Sequence, residues 1–110
     1  MTGTEITEVE IRKVLKKPTG KLTKADLERV TALGFSFAGI TNEGLKEVVA
    51  KLQNLTWLSL NGTQITDAGL KEVAKMKQLK ELDLKNTKSV TKKGVAELKK
   101  ALPKCKIIWP

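Results

Sequence analysis

Few side chains in this sequence could do covalent or metal chemistry. There is one cysteine, Cys105, and no histidine in 110 residues. That removes an intramolecular disulfide, any His-based metal site and any Ser-His or Cys-His catalytic pair. Carboxylates are the remaining acid–base candidates. Asp67 and Glu72 form one pair, and Glu81 and Asp83 another. On a strand, Glu81 and Asp83 share one face and in principle share a proton or bind a cation. Lys80 and Lys85 beside them favour two separately solvated surface acids instead. Glycine-rich phosphate loops, paired cysteine ligands and nucleophile motifs are absent. The expectation is no enzyme, no cofactor and no metal.

The formal charge is +9, from 21 Lys and Arg against 12 Asp and Glu. Such a balance attracts anionic partners, but only Arg12 and Arg29 are arginines and the aromatics are Phe35, Phe37, Trp57 and Trp109. Base readout and bidentate phosphate contacts favour arginine, and single-strand binding needs aromatics interleaved with the charge. The lysines therefore read as solvated helix faces, which argues against nucleic acid as the partner. No apolar run approaches the roughly 20 residues of a membrane span, and no signal peptide opens the sequence. One unpaired cysteine leans toward a reducing compartment, the cytoplasm.

The elements that position these residues come from an internal repeat. Leu55-Thr56-Trp57-Leu58-Ser59-Leu60-Asn61-Gly62-Thr63 returns 24 residues later as Leu79-Lys80-Glu81-Leu82-Asp83-Leu84-Lys85-Asn86-Thr87. The following stretch, from Ile65-Thr66-Asp67-Ala68-Gly69-Leu70, returns as Val90-Thr91-Lys92-Lys93-Gly94-Val95 with one residue inserted near Lys88-Ser89. A weaker copy precedes both. It runs from Val30 to Phe35 and from Ile40 to Val48, with an extra residue at Val48-Val49.

Period-two alternation puts Leu58 with Leu60, and Leu82 with Leu84, on one face of short strands. Successive strands then pair in parallel. Thr63 and Thr87 fall at the bend that follows, where a hydroxyl can bond backbone groups that the turn leaves open. Thr41, Thr66 and Thr91 are the expected N-caps. Apolar stripes follow each: Leu45/Val48/Val49/Leu52, Leu70/Val73/Ala74/Met76 and Val95/Leu98/Ala101/Leu102. Gly44, Gly69 and Gly94 recur one residue before each stripe, where adjacent turns leave no room for a Cβ.

The L-x-x-L-x-L-x-x-N/C pattern, met here with Thr63 and Thr87 in the last position, resembles the leucine-rich repeat. The I-T-D-x-G-L-K-E-V-A continuation is similar to bacterial and ribonuclease-inhibitor-like members, over roughly residues 30 to 105. The resemblance implies an α/β right-handed solenoid of about three repeats plus caps, with a short parallel sheet on the concave side and helices on the convex side. The first copy departs from the pattern at Phe35 and Ala38, as terminal repeats often do.

Both ends read as caps, which a stacked array needs. Residues 1–29 are expected to form an N-terminal helical cap. One helix runs from Thr7 to Lys16, with Thr7 and Glu10 at capping-box spacing and Ile6, Val9, Val14 and Leu15 to bury. A second helix starts at Thr23 with Asp26 three residues on. This segment is similar to the one preceding the first repeat in bacterial members. Residues 30–110 carry the repeats and a closing turn, continuous with the cap as one domain. There Cys105 takes the place of Leu55 and Leu79 as a small buried hydrophobe, and Ile108 that of Leu58 and Leu82.

The resemblance implies a protein partner bound along the concave sheet. Alternation makes Thr31, Ala32, Gly34 and Ser36 outward-facing in the first turn. Thr56, Trp57, Ser59 and Asn61 follow in the second, Lys80, Glu81, Asp83 and Lys85 in the third, and Ile107 and Trp109 in the closing turn. Trp57 is the anchor to expect, because tryptophan is enriched at binding hot spots; the competing reading packs it over the stems of Lys80 and Glu81. The alternatives are a consensus-like scaffold with no private ligand, and a weak polyanion binder through Lys46, Lys51, Lys71, Lys75, Lys77, Lys99 and Lys100. A monomer is expected.

Overall fold

The computed structural model describes residues 3–35 and 39–110. Assignments made for Ser36, Ala38 and the side chain of Ile6 lie outside what it describes. The elements run α1 (Gly3–Leu15), α2 (Lys24–Glu28), β1 (Ala32–Gly34), α3 (Asn42–Lys51), β2 (Trp57–Ser59), α4 (Asp67–Val73), β3 (Glu81–Asp83), α5 (Lys92–Ala101) and β4 (Lys106–Ile108). The four strands form one parallel sheet in the order β1-β2-β3-β4. Consecutive strands are joined by α3, α4 and α5, the connection that parallel pairing requires.

One core runs the length of this array. Leu33, Leu58 and Leu82 lie in register across β1, β2 and β3 and are 0–1% exposed. Leu60 and Leu84 extend the same face. Leu45, Val48 and Leu52 come down from α3, Leu70 and Val73 from α4, and Val95 and Leu98 from α5. Each fully buried side chain contributes about 1.5–3 kcal/mol.

The threonines behave as their positions suggest. Thr41, Thr66 and Thr91 cap α3, α4 and α5. Thr63 and Thr87 are buried, and their hydroxyls donate to Leu60 O at 2.8 Å and Leu84 O at 2.6 Å. Those bonds close each bend within its own turn. Gly62 and Asn86, the residues just before, take left-handed φ of 72° and 61°, a conformation open to Gly and Asn.

The polar ladder between turns lies at the helix N-termini. Asn42 Nδ2 donates to Thr66 Oγ1 (2.8 Å), and Asn42 Oδ1 accepts from Thr66 N (3.1 Å). One turn on, Asp67 accepts from Thr91 N (2.9 Å) and from Thr91 Oγ1 (2.5 Å). The same side chains fill the space beside the helical glycines. A Cβ at Gly69 would lie 2.5 Å from Asn42 Oδ1, and one at Gly94 would overlap the Asp67 carboxylate.

The N-terminal helix differs from the reading of its sequence. It begins at Gly3, so Thr7 sits inside it rather than capping it. Thr7 is buried and donates to Gly44 O at 3.4 Å, with Ile11 one turn on also buried. Val14, expected inside, is 47% exposed although helical period places it on the face of Thr7 and Ile11; it stands in the last turn of α1. The second helix does carry its capping box. Thr23 Oγ1 accepts from Asp26 N, and Thr23 N donates to Asp26 Oδ2.

The closing turn contains a one-residue slip. Cys105 follows α5 as Leu55 follows α3, each N–H bonding the carbonyl three residues back. The chain then enters the sheet one residue sooner, and Ile107 pairs with Leu82. A single-residue shift exchanges the two faces. Ile107, expected outside, therefore points inward, and Ile108, expected inside, points outward. Trp109, on the same side as Ile107, packs against the core.

Two outcomes follow from the ladder. Gly94→Ala should lower stability by about 1 kcal/mol in urea unfolding, because displacing the Asp67 carboxylate costs more than the roughly 1 kcal/mol that alanine gains in a helix. In an Asp67→Ala background the same substitution should become stabilising, and matching losses in both backgrounds would show that no collision occurs. The second concerns pH. The Thr91 hydroxyl and N–H hold Asp67 below the ordinary aspartate value of 3.8, and the Lys17 ammonium with the Thr23 N–H holds Asp26 lower still. Carboxylates depressed by folding add stability above that ordinary value and lose it as pH falls through the folded value. The unfolding midpoint should be flat above about pH 5 and fall below about pH 4, with a shallower fall for Asp67→Asn, since Asn42 shows that an amide fits the same role.

Candidate functional site

The strand register lays two rungs across the sheet face turned away from the helices. One is Ala32, Trp57, Glu81 and Lys106; the other is Gly34, Ser59, Asp83 and Ile108. The alternation that buries the leucines fixes both.

Trp57 dominates this face. It is 37% exposed, one of two large apolar side chains so exposed among the described residues. Its indole N–H donates to Glu81 Oε2 at 3.1 Å. The far edge of the ring lies against Gly34, where an added Cβ would sit 3.7 Å from Cζ3, an ordinary contact. The ring therefore reaches from β3 across β2 to β1, seated on a glycine and tethered to a carboxylate.

The other expected contact residues divide by what they do. Lys80 and Lys85 are exposed. Thr56 is half-buried, with its hydroxyl on Thr31 O at 3.2 Å. Asn61 Oδ1 accepts from Asn86 Nδ2 at 3.0 Å, joining two turns at the strand ends. Asp83 Oδ1 accepts from Lys85 N at 2.9 Å, which commits it to the local bend. Ser59 faces outward as expected but is only 3% exposed, a small side chain sunk between the rungs beside the Trp57 ring edge. Its hydroxyl accepts from Asn61 N at 3.4 Å. In the closing turn Lys106 and Ile108 stand on this face in place of Ile107 and Trp109.

Glu81 and Asp83 share a face as their spacing implied, but each carboxylate engages a different donor. Among the described residues no group of three or more Cys, Asp or Glu is placed to hold a metal ion. Cys105 is half-buried and packs against the core. Burial first, then the negative charge of Glu81, pushes its thiol above the ordinary value, which disfavours the reactive thiolate.

Sequence reading missed that Glu81 is the acceptor holding Trp57 and that Gly34 seats the ring. The signal lay in the register, since these residues stand on the strands flanking the tryptophan. It also missed Asn42 and Asp67, each 24 residues before the threonine it bonds.

Glu81→Ala should free the indole, so that acrylamide quenches Trp57 fluorescence more strongly in a Trp109→Phe background. Unfolding free energy should change by less than about 1 kcal/mol, as for other exposed polar contacts. Unchanged quenching would mean that the tether does not hold the ring.

With this geometry in hand, comparison with protein families finds one match. Residues 53–93 fit the family model described as Leucine Rich repeats (2 copies). They span β2, α4, β3 and the start of α5. Among curated proteins nothing matches this chain. The parallel four-stranded sheet with its connecting helices fits the α/β fold of such repeats, and no helix among the described residues is long and apolar enough to cross a membrane.

Proposed function

From a chain that carries leucine-rich repeats over residues 53–93, we propose a protein–protein interaction module that binds its partner on the outer, concave face of the sheet. Such repeats generally mediate protein–protein interaction. Trp57 is the anchor, flanked by Thr56, Asn61, Lys80, Glu81, Asp83 and Lys85. The observation that carries this reading is the exposed indole, fixed flat by Glu81 and Gly34. A rigid aromatic already in one orientation loses little side-chain entropy on binding. It also offers the desolvable area typical of a hot spot, whose truncation costs about 2 kcal/mol or more in affinity. The surrounding charges then form a polar rim that sets orientation more than affinity.

Affinity capture with three baits, at moderate and high salt, tests this. The baits are wild type, Trp57→Ala/Asp83→Lys, and Lys71→Glu/Lys75→Glu/Lys99→Glu. The expected result is a protein retained at high salt by the wild type and the lysine variant but lost with the sheet-face variant. Once it is identified, Trp57→Ala alone should weaken its binding at least roughly thirtyfold. Loss with salt and with the lysine changes would place binding on the helices, and no specific capture would favour a scaffold with no private ligand.

A further inference from the structure

The positive charge is concentrated in one turn. Residues 88–110 hold seven lysines against one acid, Glu97, so they carry +6 of the chain's +9. Lys88, Lys92 and Lys93 lie at the N-terminal end of α5, and Lys99, Lys100 and Lys104 at its C-terminal end, with Lys106 beginning β4. All seven are exposed. Every ion pair found among the described residues lies elsewhere: lysines or arginines in α1 and α3, around α2 and just after α4 meet Glu8, Glu10, Asp26, Glu47 and Glu72. Pairing thus neutralises part of the basic helical face, Lys51 and Lys75 included, and leaves the last turn bare. Its one acid, Glu97, is exposed, lines the cleft between α5 and α4 with Asp67 and Lys71, and takes part in none of those ion pairs.

The same turn leaves apolar surface half-open. Ile107, Ile108 and Trp109 are each partly exposed, whereas Leu58 and Leu82 on the inner strands are fully buried. Lys88 lines a cleft with Trp109, and Lys106 begins the strand that carries the two isoleucines, a combination that matches an interface anionic outside and apolar just beneath. We propose that this last turn, α5 with β4, docks on the surface of an anionic lipid bilayer. Long lysine stems spread point charges over a fluid array of headgroups, and a tryptophan ring suits headgroup depth. The stretch contains no arginine and no second aromatic, so it lacks the fork and stacking chemistry that nucleic acid would use. Of these residues only Lys106 and Ile108 stand on the sheet face that carries Trp57, and the proposal does not rest on the role given to Trp57.

Vesicle binding decides the matter, using the full chain with Trp57→Phe so that Trp109 alone reports. Co-sedimentation and Trp109 emission are followed with phosphatidylcholine vesicles and with vesicles containing roughly one-third phosphatidylserine, at about 0.1 M salt. Two triple variants of equal charge, both checked for folding by circular dichroism, are compared: Lys99→Gln/Lys100→Gln/Lys104→Gln, and Lys21→Gln/Lys24→Gln/Lys46→Gln at the opposite end. The expected result is binding to phosphatidylserine vesicles only, with a blue shift of Trp109. Affinity should fall at least about tenfold in the first variant and far less in the second. Absence of binding, an unshifted Trp109, equal losses in the two variants, or tighter binding to polyglutamate or duplex DNA at the same salt would each overturn the proposal.

Discussion

A β–α turn of some 24 residues has no interior of its own. Leu58 and Leu82 are each sealed only because another turn lies on either side, so the structure depends on consecutive turns keeping one register. Two sets of bonds hold it. At one end the strands pair in parallel, Leu33 with Leu58 with Leu82 with Ile107. At the other, the first residue of a helix bonds the N-cap threonine of the next, Asn42 to Thr66 and Asp67 to Thr91. A turn tethered at one end alone could tilt about its strand and open the leucines to water. Tethered at both ends, it presents its apolar face at a fixed depth, which close packing demands.

The ladder also explains features that look unrelated. An asparagine or aspartate lying across the N-terminus of the next helix needs space, and Gly69 and Gly94 supply it. The two rungs use different chemistry for one geometry. The Asn42 amide both donates to and accepts from Thr66, whereas the Asp67 carboxylate only accepts, which ties its ionisation to the fold. At the start of the array Thr7 of α1 reaches Gly44 O, so the cap helix meets α3 where a preceding turn would. In the last turn the equivalent position is Lys92, an ammonium that cannot accept a hydrogen bond.

Most of the interior could be read from the sequence because period and chemistry agreed there. Leu-x-Leu sets the strand face, a threonine before an apolar stripe starts each helix, and both recur at a constant interval. What escaped was whatever spacing alone does not encode. Thr7 and Glu10 have capping-box spacing, but burial of Thr7 and Ile11 on α3 outweighed it and the helix begins earlier. The closing strand was assigned by counting from Cys105, and a shorter entry into the sheet exchanged Ile107 with Ile108. Ser59 faces outward as alternation requires, yet alternation says nothing of what lies over a residue, and the neighbouring rung and ring hide it. The Trp57–Glu81 tether crosses strands, and cross-strand contacts become visible only once the register is known.

Because backbone strand pairing, the inward residues and the ladder maintain the register, the outward residues of the strands are free to differ from turn to turn. The leucine positions barely vary between residues 55–60 and 79–84, while the positions between them change from Thr, Trp and Ser to Lys, Glu and Asp. Placing these unlike residues side by side is what creates a surface with character: the carboxylate of one turn fixes the indole of the previous one, over the glycine of the turn before that. No single turn contains all three groups. The same freedom lets charge collect in the last turn without disturbing the interior, since the lysines of α5 lie off its buried stripe of Val95 and Leu98. The regularity that seals the core therefore leaves two distinct outer surfaces, one aromatic and rimmed with charge, the other densely basic.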